Sequence, residues 1–236
     1  MSQRGGSLGT EICPASIAEA RRDYPRFYAS YAWAAEFAKG KRVLDAACGS
    51  GFGSAMLGLT ATRVLGLELE EILLGHARKH FGSENVSFLR WDLHERLKTT
   101  DRFDVLVSFQ TLEHVENPEE CLRALNAVLT EEATAVFGVP NGEHEMRDGK
   151  GKLYHVRRFT RKSLGELLGR HYEEVELFSQ VYHKGLWHYV ERIVTGRRRR
   201  ASRYRVEKGL LSGVKTWLAV CRRPIRVSPG AGVSGC

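Results

Sequence analysis

Arg42-Val43-Leu44-Asp45-Ala46-Ala47-Cys48-Gly49-Ser50-Gly51-Phe52-Gly53 is the stretch on which the rest of the chain turns. Its first half is a short apolar run that reads as a strand, and its second half brings three glycines into five positions. A helix is expected behind it from Ser54. A strand that enters a glycine turn and then a helix suits a nucleotide-like ligand, because glycines let the backbone pass close and supply amide donors. A dinucleotide site would read G-x-G-x-x-G and leave room for a pyrophosphate. Here the third glycine comes one residue early and Asp45 precedes the turn. A carboxylate at that point suits a cationic ligand better than a phosphate.

Outward from this turn, strands and helices alternate. Before it, Ser16 to Lys39 is helical and rich in Ala and aromatics, divided by Pro25. After it come a strand at Arg63–Glu68, a helix with Ile72, Leu73, Leu74, Ala77 and Phe81 at helical spacing, and a third strand from Val86 to Asp92. Phe103–Phe109 is too apolar for a half-exposed strand. A helix follows Pro118, and Thr134–Pro140 is the fifth strand. Thr160 reads as the N-cap of a helix over Ser163–Gly169, before a sixth strand at Glu174–Val181. Strands separated by helices of this length predict parallel pairing with helices on both faces. Val214–Val220 is read as a last strand rather than an amphipathic helix, ended by Cys221-Arg222-Arg223-Pro224.

Two more acids stand where this topology places strand tips. Glu68 lies 19 residues beyond Gly49, placed to accept hydrogen bonds from both hydroxyls of a ribose. Asp92 is placed to accept from an adenine amino group. Acids at three successive tips around a glycine turn describe a site for an adenosine that carries positive charge. Asp45 itself is expected to hold the turn by accepting backbone N–H bonds. Tyr28 and Tyr31 face either the same ligand or the core.

Val43–Gly53, Gly66-Leu67-Glu68, Trp91-Asp92 and Phe103–Pro118 (FDVLVSFQTLEHVENP) together resemble the class I S-adenosylmethionine-dependent methyltransferases, over roughly residues 30–182. The resemblance is to bacterial small-molecule and glycan enzymes, including those similar to ubiquinone-pathway O-methyltransferases. Glu113-His114-Val115 and the H-x-R-x-F-T element at His155–Thr160 share in it. Ala47 departs from the pattern, standing where many members have the first glycine of the turn. The resemblance implies a Rossmann-like α/β fold with a seven-stranded, mostly parallel sheet, its last strand antiparallel. It implies S-adenosylmethionine as cofactor, with S-adenosylhomocysteine as product, held by Asp45, Ala47, Gly49, Gly51, Glu68, Asp92, Leu93 and Phe109.

The 236 residues fit a single domain, read as residues 16–224. Residues 1–15 are read as a disordered N-terminus, 225–236 as a flexible tail and 183–213 as an insertion before the last strand. No apolar run is long enough for a membrane span and no signal segment is evident, so the expected location is the cytoplasm. The five cysteines are scattered and never spaced C-x-x-C, which argues against a disulfide framework or a structural zinc site. The net charge of +8 is uneven. Residues 191–226 hold 12 Lys/Arg against 2 acids, while the first 190 residues are slightly acidic. The run Arg197–Arg200, with Trp187 and Tyr189 before it, suits a solvated face, an anionic or lipid-linked substrate, or a peripheral membrane contact.

A hydroxyl nucleophile must lose its proton, and a histidine has a suitable pKa. The candidates are His114 after the fourth strand and His155 in the loop after the fifth, with His144 as an outsider. The leading expectation is an O-methyltransferase for a small molecule or glycan. An RNA methyltransferase using the basic segment 192–226 is the alternative, with no [DNS]-P-P-[YFW] signature to support it. A non-catalytic module that binds S-adenosylmethionine is the third reading.

Overall fold

The computed structural model describes residues 13–93, 95–147, 156–183, 200–211 and 213–226. In chain order the elements are α1 (Ile17–Asp23), α2 (Pro25–Ala38), β1 (Arg42–Ala46), α3 (Phe52–Gly58), β2 (Arg63–Glu68), α4 (Glu71–Phe81) and β3 (Val86–Arg90). They continue with β4 (Phe103–Phe109), α5 (Pro118–Asn126), β5 (Leu129–Pro140), α6 (Gly142–Arg147), α7 (Arg161–Gly169), β6 (Tyr172–Tyr182), β7 (Tyr204–Lys208) and β8 (Thr216–Pro224).

Local chemistry sets most of these boundaries. Pro25 occupies the first turn of α2, where a missing N–H costs nothing, and so separates it from α1. Ser16 caps α1 by accepting from the Glu19 N–H. Asn117 caps α5 ahead of Pro118. Thr160 and Ser163 form a reciprocal capping box at the start of α7.

The strands make one sheet in the order β3-β2-β1-β4-β5-β8-β6-β7. The first five of these positions are parallel. β8 then runs antiparallel between β5 and β6. The sheet therefore has eight strands where seven are expected. The extra one, β7, pairs antiparallel with the end of β6 at the sheet's edge. It lies within the segment read as an insertion, and its three charges in five residues hide its period from a reading of the sequence. β8 is a strand, as expected, but it begins at Thr216 rather than Val214 and does not end at Val220. It runs on to Pro224, paired with β6 as far as Tyr172, and there Arg222 and Arg223 ion-pair with Glu173, Glu174 and Glu176.

Each face of the sheet carries its own core. On one face, α2, α3 and α4 place Ala34, Leu57, Leu74 and Ala77 against Val43, Val64, Val107 and Leu218. On the other, α5 and α7 place Leu122, Leu125, Leu164 and Leu168 against Leu44, Leu106, Phe137 and Trp217. The link from β3 to β4 crosses without a helix among its described residues. The residues read as a disordered start and a flexible tail lie largely outside the described ones, as do Trp187, Tyr189 and Arg197–Arg199.

A buried polar relay closes the second face. The Tyr172 hydroxyl donates to Asn126 Oδ1 at 2.6 Å, and Asn126 Nδ2 donates to the His171 carbonyl at 3.1 Å. Tyr172→Phe leaves that buried amide oxygen without its donor, so the variant should lose about 1–3 kcal/mol in urea denaturation.

Candidate functional site

All five parallel strands end on the same edge of the sheet, and β1 ends in the glycine turn. The Asp45 carboxylate lies beneath that turn with no solvent exposure. Its partners are two side-chain hydroxyls. Tyr31 of α2 donates to Oδ1 at 3.1 Å and Ser54 of α3 donates to Oδ2 at 2.6 Å. The expectation that Asp45 holds the turn through backbone N–H groups is therefore corrected: it ties together the two helices that flank the turn. Burial pushes the Asp45 carboxyl up to about 7, against the pull of the Ser54 and Tyr31 hydroxyls and with a push from the Glu68 charge. Burial, and then the Asp45 charge, raise the Tyr31 phenol well above its ordinary value.

The glycines do three different jobs. Gly53 is needed for packing, since a Cβ there would stand 2.0 Å from the Tyr31 ring. At Gly51, with φ +87°, a Cβ would stand 2.6 Å from that of Ala77. Gly49, with φ +56°, has nothing within 4 Å in front of it. Of the three, Gly49 is the one that opens onto free space for a ligand. Ala47 also has a positive φ, +59°, in the left-handed region that favours glycine.

Glu68 ends β2 opposite this turn. Its Oε2 accepts from the Gly49 N–H at 2.8 Å, and its Oε1 accepts from the N–H groups of Leu69 and Glu70 at 2.9 and 3.0 Å. A carboxylate has about four acceptor sites. Glu68 thus fixes the turn with three of these and keeps acceptor capacity in reserve. Asp92 and Leu93 follow β3, and Trp91 joins that strand's end to β2 by donating its N–H to the Glu68 carbonyl at 3.0 Å. No helix follows Asp92 among the described residues, so helix capping does not explain it. Phe109 ends β4 with its ring edge-on to Tyr31, centroids 4.9 Å apart. Tyr31 is therefore a core residue with one polar task, and Tyr28 lies beside the Arg21 guanidinium.

Beyond β4, Glu113 is buried, while the His114 side chain is 46% exposed with Nε2 3.9 Å from Glu113 Oε1. His155 lies outside the described residues. Two positions on, the Arg157 N–H donates to the Glu113 carbonyl at 3.0 Å, and the Arg157 guanidinium donates to the Glu116 carbonyl at 3.2 Å. The segment from Val156 is thereby fastened beside His114. His144 sits in α6, its N–H bonded to Asn141 Oδ1.

One further regularity marks this edge. Ser50 Oγ, Trp91 Nε1, Ser108 Oγ, Gln180 Oε1 and Thr216 Oγ1 are buried polar atoms without a hydrogen-bond partner among the described residues. They stand after β1, after β3, near the end of β4, near the end of β6 and at the start of β8, all along the rim where the parallel strands finish. Such groups are rare in a folded chain and call for a compensating water, ion or ligand. Ser54, Gln180 and Thr216 were not singled out from the sequence. Only the topology reveals that they share a rim with the glycine turn.

Comparison with known proteins gives this edge a family. Residues 37–193 match the methyltransferase domain family. The chain belongs to it. A ubiquinone biosynthesis O-methyltransferase of Coxiella burnetii is 29% identical over 120 residues, 50% of this chain and 49% of that protein. One from Pseudomonas syringae pv. tomato is 30% identical over 122 residues, half of each chain. The chain thus spans about half the length of these curated relatives. Among solved structures, an S-adenosylmethionine-dependent methyltransferase from Mesorhizobium loti aligns with a TM-score of 0.60 at 18% identity, covering 84% of this chain and 98% of that one. The N-methyltransferase NodS from Bradyrhizobium japonicum, solved with S-adenosylhomocysteine, aligns at 0.59 and 15% identity, covering 86% and 89%.

The cofactor of this class I methyltransferase is S-adenosylmethionine, and the residues present fit it. Gly49 leaves room for it, Glu68 retains acceptor capacity, and Asp45 braces the turn from behind through Tyr31 and Ser54.

Two measurements test this account of the turn. Ala47→Gly should relieve the left-handed backbone and raise stability by about 0.5–1 kcal/mol in urea. Asp45 has a higher pKa folded than unfolded, so its contribution is full below about pH 4 and is lost as pH climbs towards about 7. Asp104, held below the usual range by its hydrogen bond to Arg42, has the opposite slope. Subtracting the stability profile of Asp45→Asn from that of the wild type should isolate a term that falls across this window. A flat difference would contradict the buried-carboxylate picture.

Proposed function

We propose that this methyltransferase transfers a methyl group to a hydroxyl of a small-molecule or glycan acceptor. The observation that carries the reading is the rim itself: an open Gly49, Glu68 with spare acceptor capacity and a buried Asp45, continued by unpartnered polar atoms towards β8. S-adenosylmethionine supplies a methyl group already activated by the positive charge on sulfur, so the protein's part is alignment, exclusion of water and removal of one proton.

The roles fall to residues already placed. Glu68 accepts from the ribose hydroxyls, Asp92 and Leu93 face the adenine, and the backbone at Ala47, Gly49 and Gly51 passes alongside. Asp45 supports the methionine end from beneath the turn, through the Tyr31 and Ser54 hydroxyls, and Phe109 lies beside it at the end of β4. His114, exposed beside the end of β4, takes the acceptor's hydroxyl proton on its imidazole as the oxygen gains the methyl carbon, with His155 as the other candidate base. The O-methyl assignment draws on the likeness to the ubiquinone biosynthesis O-methyltransferases. Free, buried Cys48, Cys121 and Cys221 suit a reducing cytoplasm. The basic segment around Arg197–Arg200 is assigned to an anionic or lipid-linked acceptor or to contact with a membrane surface.

Calorimetric titration with S-adenosylhomocysteine should give binding that Glu68→Gln weakens about tenfold or more. Methyl-labelled cofactor should label a hydroxyl-bearing compound in a low-molecular-weight extract of the cells that make the chain. His114→Gln should lower that rate by about 10²–10⁴ while leaving cofactor affinity unchanged. Absence of cofactor binding, or label passing only to nitrogen, would overturn the proposal.

A further inference from the structure

Gln180 of β6 and Thr216 of β8 are direct cross-strand partners. They share a rung with Pro140 of β5 and Val206 of β7. Both are buried, at 4% and 3% exposure. Gln180 Nε2 donates to the Arg26 carbonyl at 3.0 Å and to Ser30 Oγ at 2.9 Å, both on α2. A carbonyl oxygen can only accept, so the group facing the Arg26 carbonyl must be the amide NH2, which fixes which end of the amide is which. Among the described residues the amide oxygen has no donor and the Thr216 hydroxyl has no hydrogen-bond partner. The side chains of their rung neighbours, a proline and a valine, have nothing to offer either. Two polar atoms are thus buried side by side, on strands whose Cβ atoms stand roughly 5 Å apart.

Their position relates them to the reaction. One rung deeper on the same face lie Phe109, Gly138, Leu218 and Phe178. Phe109 touches the Tyr31 ring, and the Tyr31 hydroxyl holds Asp45. Strand spacing and rise put Thr216 roughly 12 Å from Phe109 between Cα atoms, the length of a small substituted ring. The same helix, α2, covers both ends: through Tyr31 at the cofactor turn, and through Arg26 and Ser30 at Gln180.

We infer that Gln180 and Thr216 anchor the methyl acceptor through a hydroxyl remote from the atom that is methylated, and so decide which acceptors are taken. The pair is complementary to that group. The amide oxygen can only accept, and would take the acceptor's O–H, while the threonine hydroxyl would donate to the same oxygen. An ether or ester oxygen at that point would leave Gln180 unpaired in a dry site, which is how a buried polar group rejects an analogue that lacks the matching proton. The inference rests on the methyl-transfer reading above.

Thr216→Val keeps the shape and removes the hydroxyl, and Thr216→Ser restores it. The valine variant should melt within a degree or two of the wild type and bind S-adenosylhomocysteine with unchanged Kd. With methyl-labelled cofactor and the low-molecular-weight extract at sub-saturating dilution, its initial rate should fall about tenfold and recover as the extract is concentrated. The serine variant should stay near the wild type in all three. A valine variant that melts several degrees lower would give the hydroxyl a structural role, and one that labels the dilute extract at the wild-type rate would remove it from the acceptor site. Either result overturns the inference. A wild-type protein that binds S-adenosylhomocysteine but labels nothing in the extract defeats the small-molecule reading itself, and the anchor falls with it.

Discussion

The arrangement of this edge depends on one buried carboxylate. Asp45 ends β1 out of reach of water, and an unpaired charge there would be expensive, so two hydroxyls from different helices converge on it. Tyr31 reaches it only because α2 lies close against α3, and α3 admits the Tyr31 ring only because position 53 has no Cβ. Phe52 and Phe109 complete the packing around that ring. The glycine turn is held between these contacts on one side and Glu68 on the other. Its shape is thus set by the protein before any ligand arrives, which spares the cofactor the entropy of ordering it.

Much of the fold could be read from the chain because its signals are local. Apolar runs mark β1 to β5, although β5 begins at Leu129 rather than Thr134, Pro25 marks the break between α1 and α2, and Thr160 marks α7. What could not be read was long-range. β7 is five residues with three charges, and it becomes a strand only because β6 offers it an edge. The continuation of β8 through Arg222 and Arg223 depends on glutamates some fifty residues earlier, across the sheet.

The site divides in the same way. Gly49 and Glu68 were legible because strand–turn–helix is a local pattern and the second acid falls at a fixed distance from it. Their mutual bond, from the Gly49 N–H to Glu68, joins the two signals. The partners of Asp45 were not legible, since Tyr31 stands in an aromatic stripe that any amphipathic helix could carry and Ser54 is an ordinary helix serine. Gln180 follows Ser179 in a strand that already carries three glutamates and Thr216 opens β8, so neither stands out in sequence, and only the register of β6 against β8 sets them side by side. His155 falls outside the described residues, so its part rests on the sequence pattern alone.

The place of β8 has a further consequence. Among the described strands it comes last in the chain, yet it sits in the interior of the sheet, between β5 and β6. As the chain leaves the ribosome, β5 has one long side without a neighbour and β6 has nothing to join it to the parallel half. Both must wait for residues 216–224 to emerge. Contacts so distant in sequence close slowly and leave exposed strand edges in the meantime. The nascent chain would therefore pass through a half-built stage in which the parallel strands around the glycine turn are assembled and β6 and β7 are not yet joined to them.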